Sequence, residues 1–170
     1  MKLLLLRHGE AVDATLPGVA ADAARQLTPR GRRQIRRVGR WLAALDEPVD
    51  VIVTSPLVRA RETADTLREH WGTEADTRIV TALRPNSPPA QAWRGVRATL
   101  RLFPQAGSIL CVGHEPCLGR LAAWLLTGQD EGWLSLKKGG LIRLNLPTPG
   151  TPAGNGITLE GLVGPGDLRR

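Results

Sequence analysis

A chain of 170 residues with 42% hydrophobic content is the size of one ordinary domain and can bury a substantial core. Two cysteines, Cys111 and Cys117, are too few for a disulfide framework, and no apolar run approaches the ~20 residues of a membrane-spanning helix, so a cytoplasmic protein is expected. The net charge of +7 rests on arginine, because Lys2, Lys137 and Lys138 are the only lysines; it reads either as a surface that steers anionic partners or as a compositional preference for Arg over Lys, and sparse aromatics leave nucleic-acid binding unsupported.

The opening MKLLLLRHGEA has four leucines, Leu3 to Leu6, cut off by Arg7-His8. A secretion signal needs an apolar stretch of about 7–15 residues. The run is therefore read as a short strand buried on both faces and stopped at Gly9. A polar, alanine-rich loop follows from Ala11 to Gln26. LTPRGRRQIRRVGRWLAAL then reads as a helix with Thr28 at its N-cap and Pro29 at the first helical position. Ile35, Val38, Leu42 and Leu45 mark its buried face, and Arg32, Arg33, Arg36, Arg37 and Arg40 a solvated one.

VDVIVTSP is a second buried strand, and RARETADTLREHW a helix. TRIVTAL is a short third strand ended by RPNSPP, and Pro89 to Leu102 a helix. GSILCVGH is a fourth strand. EPCLGRLAAWLLTG is an amphipathic helix closed by Gly128. GGLIRLNL and GITLEGLV are late strands flanking the loop PTPGTPAGNG. Strands alternating with helices, with no internal repeat or linker, predict a single α/β/α sandwich. Its central sheet should be mostly parallel, with helices on both faces, and the closing hairpin should make it mixed.

Three of these strands end on residues suited to a phosphoryl group. The first ends in Arg7-His8-Gly9, the second leads into Arg59 at a helix entry, and the fourth ends in Gly113-His114. Strand ends on one sheet edge can converge, and such edges hold ligands in open α/β folds. Arginine's planar fork matches phosphate oxygens. A neutral imidazole is a competent nucleophile, and a second, protonated one can stabilise charge on the phosphoryl oxygens. Gly9 would let the backbone approach the ligand closely. His70 is read as an ordinary surface or hydrogen-bonded residue. Cys111, His114 and Cys117 space three soft ligands only superficially, with no fourth nearby, so buried free thiols and no metal are expected.

The segments LLLLRHGEA, LTPRG, SPLVRARETA and VGHEP, in this order from residue 2 to about 126, resemble the histidine phosphatase superfamily, the phosphoglycerate-mutase-like fold. The short length and ARQLTPRG look like the small SixA-type phosphohistidine phosphatases. The resemblance implies one such domain over residues 1–170, with no cofactor. It implies that His8 takes the phosphoryl group covalently, with Arg7, Arg59 and His114 forming the phosphate pocket. Arg25, in ARQLT, would reach the same pocket.

One departure bears on the substrate. Mutases and phosphomonoesterases of this superfamily typically carry an acidic proton donor after the third strand, where this chain has Leu83-Arg84-Pro85-Asn86-Ser87. An alkoxide leaving group needs a proton, and general acid help is worth ~100- to 10,000-fold. An imidazole leaving group, already protonated on its other nitrogen, does not need one in a loose transition state. The expected substrate is therefore a phosphohistidine-bearing protein acted on by a monomer, with Glu10, Asp13 and Glu115 as the carboxylates that could oppose this argument. The alternatives are a broad phosphomonoesterase or small phosphosugar phosphatase, and a non-catalytic phosphate-binding module.

Overall fold

Leu3 to Leu6 are all buried because strand β1 (Lys2–Arg7) lies inside a sheet covered on both faces. Leu3 and Leu5 join one core and Leu4 and Leu6 the other, as the two-residue period of a strand requires. At roughly 1.5–3 kcal/mol for each fully buried leucine, this short segment contributes heavily to the stability of the fold. The computed structural model describes residues 1–15, 21–46, 48–130, 132–147 and 156–168.

The other strands are β2 (Val51–Thr54), β3 (Asp76–Ile79), β4 (Ser108–Gly113), β5 (Leu141–Asn145) and β6 (Thr158–Val163), arranged β3-β2-β4-β1-β5-β6. β1 to β4 form a parallel set, whereas β5 runs antiparallel to β1, and β6 antiparallel to β5. The sheet is thus mixed, its antiparallel part being the closing hairpin. Helices α1 (Pro29–Ala44) and α2 (Val58–Trp71) cover one face. Helices α3 (Pro89–Leu100) and α4 (Cys117–Thr127) cover the other.

Local chemistry sets the helix ends. Thr28 caps α1 by accepting a hydrogen bond from the Gly31 N–H, with Pro29 in the first turn. Gly72 and Gly128 end α2 and α4 in the left-handed conformation, where a side chain would be strained. Arg33, Arg36, Arg37 and Arg40 line a shallow groove with His70, whose Nδ1 donates to the Thr66 carbonyl.

Four expectations need adjustment. α1 stops before Leu45, which is 38% exposed rather than buried. α3 ends at Leu100, leaving Leu102 in solvent. The third strand ends at Ile79, and residues Thr81–Leu83 form a 3₁₀ turn. That turn brings Leu83 into the core under α3, a burial that an extended continuation along the sheet edge would forgo. The Ala11 to Gln26 loop contains a 3₁₀ turn at Asp22–Ala24, and Ala11 pairs with Leu27. Most of the loop PTPGTPAGNG, residues 148–155, lies outside the described residues. Among the described residues no helix is long and apolar enough to cross a membrane.

Candidate active site

β2, β4 and β1 are consecutive parallel neighbours, so their C-terminal ends share one edge of the sheet. In register, Arg7 stands opposite Gly113 and Thr54 opposite Val112. The residues that follow therefore emerge side by side, with His8 N–H donating to Gly113 O at 3.0 Å and Ser55 N–H to Val112 O at 3.0 Å. This edge brings His8, Ser55, Arg59 and His114 together, all buried.

The His8 and His114 rings lie 4.9 Å apart between centroids. His8 Nδ1 is 2.7 Å from the Gly9 carbonyl, which can only accept, so Nδ1 carries the ring hydrogen. The Nε2 lone pair then accepts from Arg59 Nε at 3.3 Å. These two contacts fix the tautomer and leave Nε2, with its lone pair, facing a guanidinium. Burial is the main force pushing the His8 pKa down to about 4; the charges of Arg59, Arg7 and Lys138 add to it, against the Gly9 hydrogen bond. His8 is neutral at physiological pH, as a nucleophile must be.

His114 Nε2 lies 2.9 Å from Ser55 Oγ. With no other acceptor near that hydroxyl among the described residues, Ser55 donates, which puts the His114 ring hydrogen on Nδ1. Burial, then the proximity of His8 and Arg59, drives the His114 pKa far below its ordinary value. The expected protonated second imidazole is thus neutral here, because burial first, and then the neighbouring His8 and Arg59, disfavour its charge; its free hydrogen sits on Nδ1. His114 Nδ1 and Arg7 Nε are buried without hydrogen-bond partners. Each such unsatisfied group costs about 1–3 kcal/mol. Two of them beside a buried imidazole suit an acceptor-rich anion.

Arg7 is anchored through Nη1 to the Leu136 carbonyl at 2.6 Å. Glu115 stands behind it, accepting from the Leu136 N–H at 3.1 Å and from Gly119. The Gly9 N–H donates to Thr63 Oγ1, its carbonyl holds His8, and a Cβ there would meet Gly31 O and Ile35 Cγ1 at 3.0 Å. Its smallness serves the packing of the strand end against α1.

Arg25 stands one step back from the dyad. Its Nη2 and Nε pair with Asp22 Oδ1 at 2.6 and 2.8 Å, and Asp22 in turn engages Arg59. Arg59 Nη1 donates to the Asp22 carbonyl at 2.8 Å and Nη2 to Oδ2 at 3.2 Å. Sequence reasoning missed Asp22, Ser55, Thr63 and Lys138. Ser55 and Thr63 sat inside quoted motifs, whereas Asp22 carried no motif signal towards Arg59.

The other candidate carboxylates are engaged elsewhere. Glu10 accepts from Thr28 Oγ1 at 3.0 Å and faces Arg30, while Asp13 is exposed and accepts from Thr15. Asp22 lines a cleft of about 520 Å³ together with Arg84 to Pro88 and Gln91. Cys111 and Cys117 are buried free thiols; burial pushes the Cys111 pKa far above its ordinary value and that of Cys117 up to about 12, and among the described residues no cluster suits a metal.

A buried imidazole pair ringed by arginines at one edge of this sheet is the arrangement of a phosphoryl-handling enzyme. The model of the histidine phosphatase superfamily (branch 1) matches residues 3–84. An uncharacterized protein of Picosynechococcus is 34% identical over 156 residues, 85% of this chain and 84% of that one. Phosphohistidine phosphatase SixA of Escherichia coli is 27% identical over 132 residues, 76% of each chain. Among solved structures, the protein histidine phosphatase SixA complexed with tungstate superposes with a TM-score of 0.83 at 21% identity, covering 99% of this chain and 100% of that one. An alpha-ribazole-5'-P phosphatase of Escherichia coli gives 0.73 at 21% identity, covering 97% and 98%. The chain belongs to the histidine phosphatase superfamily, with a SixA-like, phosphoglycerate-mutase-like fold, and is a phosphatase.

Proposed function

We propose that the protein is a cytoplasmic phosphohistidine phosphatase, in which His8 Nε2 takes the phosphoryl group from a phosphohistidine on a protein. The observation that carries the nucleophile is the tautomer: the lone pair of a buried, neutral His8 points at Arg59. The phosphoryl oxygens satisfy Arg7 Nε and His114 Nδ1, the two buried donors that lack acceptors. Arg59 and Arg7 offset the charge of the transition state, so no cofactor is needed.

The substrate class follows from proton supply. The Arg84 to Ser87 wall offers no carboxylate, Glu10 and Glu115 are held by other partners, and Asp22 is kept ionised by two arginines. The segment after the third strand thus supplies no acid to a leaving group that needs a proton. A phosphohistidine imidazole needs none. The match to E. coli SixA supports the same choice.

The test sets a phosphohistidine protein beside a phosphoserine peptide. The expected gap in kcat/KM is of the size a positioned acid supplies, ~100- to 10,000-fold. Equal values would refute the reading and favour a broad phosphomonoesterase. His8→Ala should abolish an acid-labile, base-stable phosphoenzyme together with activity.

A further inference from the structure

The carboxylate that reaches the catalytic guanidinium has no part in the chemistry so far. Asp22 comes from the single turn Asp22–Ala24 in the loop between β1 and α1, and its side chain is 56% exposed, open to water from the cleft. Arg59 contacts His8 Nε2 through Nε and Asp22 Oδ2 through Nη2. These are adjacent donors of one planar group, so a phosphoryl group on Nε2 would lie alongside the Asp22 carboxylate. Arg25 grips the other oxygen, Oδ1, and is itself tied to the Val12 carbonyl at 2.9 Å, which fixes the direction in which Oδ2 points.

We propose that Asp22 is the proton acceptor for the water that hydrolyses the phosphohistidine intermediate on His8. The inference rests on the covalent role of His8 and concerns the second half of the cycle. Water oxygen attacks phosphorus and the new P–O bond forms. The P–Nε2 bond breaks and its electron pair returns to His8 Nε2. The water proton passes to the Asp22 carboxylate and later to solvent, and orthophosphate leaves.

The cleft geometry makes this assignment specific. Asp22 and Arg84 to Ser87 line the same cleft, and Asp22 is the one carboxylate among the described residues that line it. Burial by itself would raise the Asp22 pKa, but the hydrogen bond from Arg25 and the charges of Arg59 and Arg25 outweigh it and hold the carboxyl below its usual value. An ionised carboxylate accepts protons and does not supply them. Asp22 is therefore placed as a base for dephosphorylation, which suits a substrate whose leaving group departs unaided.

The test is rapid-mixing kinetics of Asp22→Asn with p-nitrophenyl phosphate, whose phenolate leaves without an acid. The main-chain carbonyl of residue 22 keeps its bond to Arg59 Nη1, so the guanidinium stays anchored to the turn. The expected result is a burst of nitrophenolate approaching one per enzyme, followed by turnover slowed about 100-fold or more. Acid-labile phosphoenzyme should accumulate, and added formate should speed its decay in Asp22→Ala. A purely positioning role would slow burst and turnover together with no accumulation, and that result overturns the proposal. So does unchanged turnover. If wild type yields no phosphoenzyme and His8→Ala stays active, the covalent reading falls, and this proposal with it. If phosphoenzyme is trapped in wild type yet Asp22→Asn hydrolyses it normally, only the proposal falls.

Discussion

Acidification should destabilise this protein well above the pH at which carboxylates titrate, because its two active-site imidazoles are buried as neutral bases. In the unfolded chain each histidine takes a proton near pH 6.5. In the folded protein burial, with the neighbouring cationic groups, lowers His8 to about 4 and His114 further. Between these values the unfolded state holds more protons, so stability present above pH 6.5 is lost as pH falls toward the folded values. Integrated from pH 7 to pH 5, a shift of that size costs about 2 kcal/mol for His8. His114, which stays neutral throughout this window, adds a similar loss. A total of about 4 kcal/mol is a large part of the 5–15 kcal/mol typical of a folded domain. Urea unfolding at pH 7, 6 and 5 measures it, and His8→Gln should remove about half of the pH dependence. A change below about 0.5 kcal/mol, or an undiminished slope in both His8→Gln and His114→Gln, would show that the dyad is not held neutral.

Other outcomes follow from particular contacts. Thr63→Val removes the hydroxyl that accepts from Gly9 N–H and donates to the Arg59 carbonyl at 2.7 Å, so urea unfolding should show a loss of about 1–3 kcal/mol. Gly31→Ala would put a Cβ 2.0 Å from the Glu10 carbonyl, a backbone clash that must push α1 off the end of β1; a lower Tm and reduced turnover are expected, and an unchanged Tm would contradict the packing. Vanadate or tungstate should raise Tm by binding the folded state, and Arg7→Ala should weaken that rise. Activity should survive EDTA, and strict dependence on a divalent ion would show that the arginines do not carry the charge alone.

Much of this was legible in the sequence because it is local. Leu3 to Leu6 announce a strand buried on both faces, Thr28-Pro29 a helix start, and Gly128 a helix end, since each follows from chain geometry within a few residues. The convergence of His8, Arg59 and His114 was foreseen from one topological rule, that parallel strand ends share an edge. Features that depend on what lies across space were not. Leu83 turns inward because a core was waiting for it, Gly9 is small because Gly31 and Ile35 press on it, and His114 is neutral because it is buried beside His8 and Arg59. Asp22 is the clearest case. A carboxylate 37 residues from Arg59 carries no periodic or motif signal, and only the folding of its loop over the sheet edge sets it against the guanidinium. Secondary structure and strand-end chemistry depend on neighbours in sequence, whereas protonation states, packing glycines and the partner of a buried charge depend on neighbours in space.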